Sequence, residues 1–278
     1  LEHNVLLRRF TLSVGVLANY NSALNEGIHF YPGIDASYRI GDNFRLYGSW
    51  NRALRMPTFT DLYYEGKTNK GNPDLKPEES EAFEVGLKYN TYFLRAHIAG
   101  FYRKGKNMID WVKEKPEDIW ESQNLTKVDN LGFETNLSLL PRELGNERFF
   151  IRKIELGYAF IHQDKDSEGY ISNYALDYLK HKFTAQLSHS IWKGFSATWY
   201  VRWQDRAGSY TKYENLKPAY EEPYAPYCLV DMKVNWEYQR LNLYAELNNL
   251  LNSTYYDLGN IPQPGIWFKA GFRYSFKY

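Results

Sequence analysis

Arg52 and Arg55 stand at one end of a polar stretch, 55–78, and Glu78, Glu79 and Glu81 stand at the other. If the strands flanking that stretch pair, two guanidinium groups come within reach of three carboxylates. Such pairs tie a loop down, and the same arginines can hold an anionic ligand. The tie is the stronger reading, although paired surface charges are common and individually weak. Loop tyrosines offer a second kind of contact: Tyr63, Tyr64, Tyr210, Tyr213 and Tyr220. Rigid rings present area to a ligand at low entropy cost. Trp111 and Trp120 near strand ends, with Trp199, Phe276 and Tyr278, fit a membrane–water boundary better. Catalysis finds no frame. The histidines at 3, 29, 97, 162, 181 and 189 show no HExxH spacing. No GxSxG elbow or phosphate loop is present. The one cysteine, Cys228, excludes an internal disulfide and a cysteine metal cluster. No catalytic residue, metal ligand or cofactor is assigned, and the chain is not read as an enzyme.

The elements that carry these residues are strands. In "GFRYSFKY", Phe272, Tyr274, Phe276 and Tyr278 alternate with Arg273, Ser275 and Lys277. Period-two alternation puts one kind of residue on each face of a strand. Twelve runs show it: 10–20, 34–38, 44–50, 83–89, 94–98, 133–139, 154–160, 183–187, 195–203, 228–236, 241–247 and 266–278. Tight connections at 40–43, 89–92, 191–194 and 237–240 alternate with long polar ones at 55–78, 112–120, 163–177, 205–224 and 251–264. Short turns at one end and long loops at the other describe an antiparallel up-and-down transmembrane β-barrel wall. A soluble sandwich also alternates, but its strands are shorter and its inner face must fill a core.

Composition agrees with a wall between lipid and water. Aromatic residues make up 18% of 278, with 25 Tyr and 8 Trp, rings that suit such a boundary. Mean hydropathy is negative, and no apolar run is long enough for a transmembrane helix. A net charge of +1 implies no nucleic-acid partner. On the polar face, Arg52, Arg202, Arg273, Lys269 and Lys88 either steer an anionic chelate or pair with Glu84, Glu134, Asp231 and Glu246. Pairing is the stronger expectation.

The segment 47–89, "YGSWNRALRMPTFTDLYYEGKTNKGNPDLKPEESEAFEVGLKY", resembles the signature of TonB-dependent outer-membrane receptors. The matching elements are Arg52, Arg55, Pro57, Leu62, Tyr63, "GNPDLKPE" from Gly71 and "FEVGLKY" from Phe83; Leu54 stands where an aromatic is commoner. "FYRKGKNMI" (101–109), "NLTKVDNLGFE" (124–134), "AELNNLLNSTYYD" (245–257) and the aromatic end follow in order. "NIPQPG" (260–265) is similar to the cobalamin and iron-chelate branch. Independently of that likeness, Pro73 and Pro77 fix φ and remove donors, so their loop neither joins the sheet nor extends as helix.

The resemblance implies that 1–278 is the C-terminal part of a barrel of about 22 strands. The N-terminal plug domain and the first strands are then absent; Leu1, in place of an initiator Met, fits that expectation. It implies a Gram-negative outer membrane and import of an iron-siderophore, haem or cobalamin. Energy would come from the TonB complex through the plug, and the aromatic C-terminal strand would be read by the barrel-assembly machinery. A passive porin-like channel and an outer-membrane hydrolase are the competing functions.

Overall fold

Alternation of Phe, Leu and Val with Lys, Glu and Asn yields strands because successive side chains point to opposite faces. The computed structural model describes residues 1–20, 27–115, 117–145, 148–166, 169–172, 178–214, 217–259 and 261–276. It opens with β1 (Glu2–Leu6), β2 (Phe10–Tyr20), β3 (Ile28–Ile40) and β4 (Phe44–Arg55). A short helix α1 (Phe59–Tyr63), β5 (Asn69–Lys70), β6 (Glu78–Asn90), β7 (Leu94–Lys113), β8 (Trp120–Leu139) and β9 (Ile151–Asp166) follow. Next come β10 (Ile171–Ser172), β11 (Leu179–Ser190), β12 (Phe195–Arg206), β13 (Ser209–Glu214) and β14 (Lys217–Pro223). The last are β15 (Tyr227–Tyr238), β16 (Leu241–Asn248), β17 (Tyr256–Leu258), β18 (Ile261–Pro262) and β19 (Trp267–Tyr274).

The chain forms two compact units. The first comprises Leu1–Lys88, Ile98–Phe133 and Ile161–Tyr178; the second comprises Tyr89–His97, Glu134–Phe160 and Leu179–Tyr278. In the first, the order is β1-β2-β3-β4-β6 and on into its stretches of β7, β8 and β9. In the second, it runs from the remainders of β7, β8 and β9 through β11-β12-β15-β16 to β19. Neighbours in sequence are neighbours in the sheet, the up-and-down order expected from the alternating connections. Eleven of the twelve alternating runs fall within strands; of 266–278, Trp267–Tyr274 is strand, and residues 277 and 278 lie outside the described residues. β1 is an additional one, because Glu2-His3-Asn4-Val5-Leu6 holds too few apolar residues to alternate.

Registers show how the faces form. In the second unit, Leu243 lies opposite Phe272 on one side and Trp236 on the other. Trp236 in turn faces Phe195, and Met232 faces both Leu247 and Trp199. One residue along, Glu246 faces Lys269 and Lys233, and both ammonium groups bind its carboxylate, at 2.8 and 2.7 Å. The apolar face is bare: Phe272 is 73% exposed. A contiguous apolar surface of this kind calls for a partner phase. Rings mark its two margins. Trp236 stacks on Tyr238 and tilts against Phe195 near the tight turns, and Phe160, His181 and Trp203 cluster towards the other end. Phe195 and Trp203 lie eight residues apart on β12, about 27 Å along a strand and roughly 20 Å vertically at a 40° tilt. That is close to the lipid-facing band of an outer-membrane barrel, ~25 Å tall.

Each unit pins its register with one tyrosine lying across a cross-strand glycine. An added Cβ at Gly86 would stand 2.5 Å from the Tyr47 ring, and one at Gly271 would stand 2.5 Å from Tyr244. A side chain there would displace the ring, so only glycine admits this contact. Lys88 and Lys233 cap the two rings at 4.6 and 4.7 Å.

Several long loops carry structure of their own. The stretch 205–224 holds the β13–β14 hairpin, and 251–264 holds the β17–β18 pair. β7 and β8, 20 residues each, extend about 65 Å and outrun any bilayer core. If the sidedness is right, Leu187→Arg on the apolar face lowers folding stability in lipid by about 2–4 kcal/mol. Gln186→Arg, one residue away on the polar face, changes it by less than about 1 kcal/mol. Equal losses in denaturant titrations of the two variants would contradict the assignment of faces.

Candidate functional site

The site of the first unit grows from residues 55–78. Thr58 opens α1 with a capping box: its hydroxyl accepts from the Asp61 N–H, and the Asp61 carboxylate accepts from the Thr58 N–H. This turns five residues of an expected loop into helix. Arg55, closing β4, donates from Nε and Nη2 to the two oxygens of Glu78, at 2.6 and 2.5 Å. Glu78 is buried, and its Oε1 also accepts the backbone N–H of Ile109 at 2.8 Å. Asn124 completes the hold. Its amide donates to the carbonyls of Lys76 and Asn107, and its oxygen accepts the Lys76 N–H.

The same segment crosses the outer part of the β7–β8 hairpin. β5 pairs in parallel with β8, joining Asn69 to Trp120 and Lys70 to Glu121. From the other flank, β10 pairs with β7, joining Ile171 to Lys113 and Ser172 to Val112. Ile109, Asp110, Trp111 and Val112 are all buried. Consecutive strand residues face opposite ways, so burial of all four means cover on both faces. Tyr64 packs edge-on to Trp111 on one face, and the Ser172 hydroxyl donates to Asp110 on the other.

The expected site residues of this unit separate by role. Arg55 is committed to Glu78. Arg52 reaches Glu79 only at 3.5 Å with both groups well exposed, and Glu81 accepts instead from the Trp50 indole. Tyr63 is exposed and Tyr64 half-exposed. Trp111 is buried beneath Tyr64, and Trp120 lies under the Lys113 ammonium at 4.5 Å.

In the second unit, Tyr210 is buried, stacked on Tyr256 at 5.5 Å and tilted against Tyr224 at 5.2 Å. Lys212 lies over Tyr210 and Tyr256, and Arg206 lies over Tyr224. Burial raises the Tyr210 phenol above its ordinary value, and the nearby Lys212 charge pulls the other way. These rings hold the β13–β14 hairpin against 256–259, where the Gly259 N–H donates to the Tyr224 hydroxyl. Tyr213 and Tyr220, further out on the hairpin, are 55% and 52% exposed. Trp199 sits on the apolar face, its indole donating to His189 at 3.1 Å. Phe276 is exposed beside Tyr274, and Tyr278 lies outside the described residues. Sequence reasoning missed Asn124 and Ser172, since a hydrogen bond to a distant backbone leaves no spacing signal.

A family model described as "TonB dependent receptor-like, beta-barrel" matches residues 7–250. The chain belongs to this family. The vitamin B12 transporter BtuB of Vibrio vulnificus is 26% identical over 217 residues, covering 58% of this chain and 35% of that protein. The ferrienterobactin receptor of Escherichia coli is 22% identical over 293 residues, covering 95% of this chain and 37% of the receptor. A solved ferric enterobactin receptor of Pseudomonas aeruginosa superposes with a TM-score of 0.76 at 19% identity, covering 99% of this chain and 44% of its own. The chain thus spans less than half the length of each. In this receptor barrel, Arg55, Glu78 and Asn124 fix the 55–78 segment to the wall. Glu78→Ala strands the Ile109 N–H and the Arg55 guanidinium, a loss of about 1–3 kcal/mol for that local structure. Limited proteolysis of the full-length receptor should then nick 64–77 faster than in the unmodified protein, with Glu78→Gln intermediate. Identical cleavage of all three would remove the clamp from the account.

Proposed function

We propose that this chain supplies the C-terminal share of the wall and external loops of a longer outer-membrane receptor. That receptor imports a scarce chelate, an iron-siderophore, haem or cobalamin, and the TonB complex drives the import through a plug carried elsewhere in the polypeptide. The family match over residues 7–250 carries the reading. The apolar face supports placement in lipid, and the polar face supports a wet passage behind it. The exposed rings of each unit's loops, Tyr63 and Tyr64 in one, Tyr213 and Tyr220 in the other, serve ligand contact, as does Arg52. Arg55 and Tyr210 support that surface. Trp199 and Phe276 face the headgroup margin or the lipid, whereas Trp120 packs within the loop segments that cover the end of β8. The alternating rings of β19 suit recognition by an assembly partner through strand addition.

Uptake of radiolabelled ferric siderophores, haem and cobalamin by cells bearing the full-length protein tests the proposal. One of these should accumulate saturably, and a proton uncoupler or loss of TonB should abolish its accumulation. Non-saturable passage of small solutes that ignores the uncoupler would place the protein among passive channels.

A further inference from the structure

We infer that Asn249 is a positioning residue for the ligand surface of the second unit. It fixes the neck of the loop between β16 and β19, and that loop holds the β13–β14 hairpin with Tyr213 and Tyr220. This rests on the reading above that these two rings meet cargo, and adds the residue that places them. Asn249 follows β16 directly, is 3% exposed and has φ 51°, a left-handed geometry that suits asparagine. Both ends of its side-chain amide are used. Nδ2 donates to the Ser253 and Pro264 carbonyls at 2.9 and 3.2 Å, and Oδ1 accepts the Ser253 N–H at 2.9 Å. Its own N–H donates to the Asp231 carboxylate on β15 at 2.7 Å. Ser253 and Pro264 stand near the two ends of the loop, so one side chain closes its neck. Asn252 repeats the hold, its Oδ1 accepting the Ile266 N–H at 3.0 Å.

From the neck the restraint passes along a chain of contacts. The Ser253 hydroxyl donates to the Cys228 carbonyl, and Tyr255 packs on Tyr227 with ring centres 4.6 Å apart. The Asp257 carboxylate accepts the Tyr227 hydroxyl at 2.6 Å, and the Asp257 carbonyl accepts from Arg206. Between these two residues Tyr256 stacks on Tyr210, the buried ring of β13, and Gly259 donates to Tyr224 just past β14. β13 and β14 form a sheet of their own, so the hairpin takes its position from packing rather than from the ladder of the wall. Every contact on this path joins residues of the second unit. Coupling along such a path is a claim about energy, which only a perturbation at one end and a readout at the other can support. A merely local role for Asn249 predicts a weakened turn and an undisturbed hairpin.

The test combines amide hydrogen exchange of the full-length receptor in lipid with uptake. Asn249→Asp keeps the size and the acceptor but removes both donated hydrogen bonds and sets a charge against two carbonyls. Exchange should quicken about tenfold in 253–259 and equally in β13 and β14, with β11 and β12 unchanged. Tyr256→Ala should free the hairpin alone. Adding Asn249→Asp to it should not quicken the hairpin further, because the path is already cut. Uptake is measured with a ferric catecholate, a ferric hydroxamate, haem and cobalamin, each radiolabelled, at equal receptor number. For whichever accumulates, Asn249→Asp should raise KM about tenfold and leave the maximal rate within about twofold. Hairpin exchange unchanged in Asn249→Asp, or quickened no more than that of β11 and β12, would overturn the inference while saturable uptake left import standing. An unaltered KM would overturn it as well. Coupled exchange in a receptor that accumulates none of the four would support the placement of the hairpin and overturn import.

Discussion

Cross-strand register governs this protein. Leu243 meets Phe272 and Trp236 while Glu246 meets Lys269 and Lys233, so like faces like across successive strands. A slip of one residue in any strand would turn its rings into water and its charges into lipid. Within a bilayer an unpaired peptide group costs several kcal/mol, so the ladder and the sidedness must be satisfied together. Tyr47 on Gly86 and Tyr244 on Gly271 are local devices for that end. Each ring fills the space left by a missing side chain and fits at one register only.

Outside the lipid band the constraint changes. There β7 and β8 carry no lipid-facing requirement, and their outer parts are covered on both faces by segments that cross them. Glu78 joins a guanidinium, a backbone N–H and the start of β6 at one point. Asn124 joins the segment before Pro77 to the bend at Asn107, whose φ is 52°. Asparagine suits this task because it donates and accepts at once and so mimics a peptide group. The tyrosine–cation array around Tyr210 does the comparable job for the β13–β14 hairpin.

The wall was legible in the sequence because period two is a long-range, redundant signal. Phe195, Ala197, Trp199, Val201 and Trp203 repeat one message five times, and neighbouring strands repeat it again. The tie between Arg55 and Glu78 was legible for a different reason: opposite charges bracket a segment whose flanking strands must pair. β1 was not, since its five residues lack the repeats that make alternation visible. α1 was hidden because one capping box, Thr58 with Asp61, decides a five-residue helix inside a polar stretch. The partners of Tyr210, unlike its place in a loop, depend on how two distant segments meet, and nothing in their spacing encodes that. The exposed rings remain legible only as surface, without the identity of what they touch.

The division of the sheet into a lipid face and a water face is the central claim, and residue-by-residue accessibility along Phe195–Arg206 tests it most directly. Single cysteines would be placed at each position of the full-length protein in lipid, with Cys228 replaced by serine, and labelled with a charged, membrane-impermeant thiol reagent. Labelling should alternate with a period of two, strong at 196, 198, 200 and 202 and weak at 197, 199 and 201. Uniform labelling, or alternation of the opposite phase, would contradict the account.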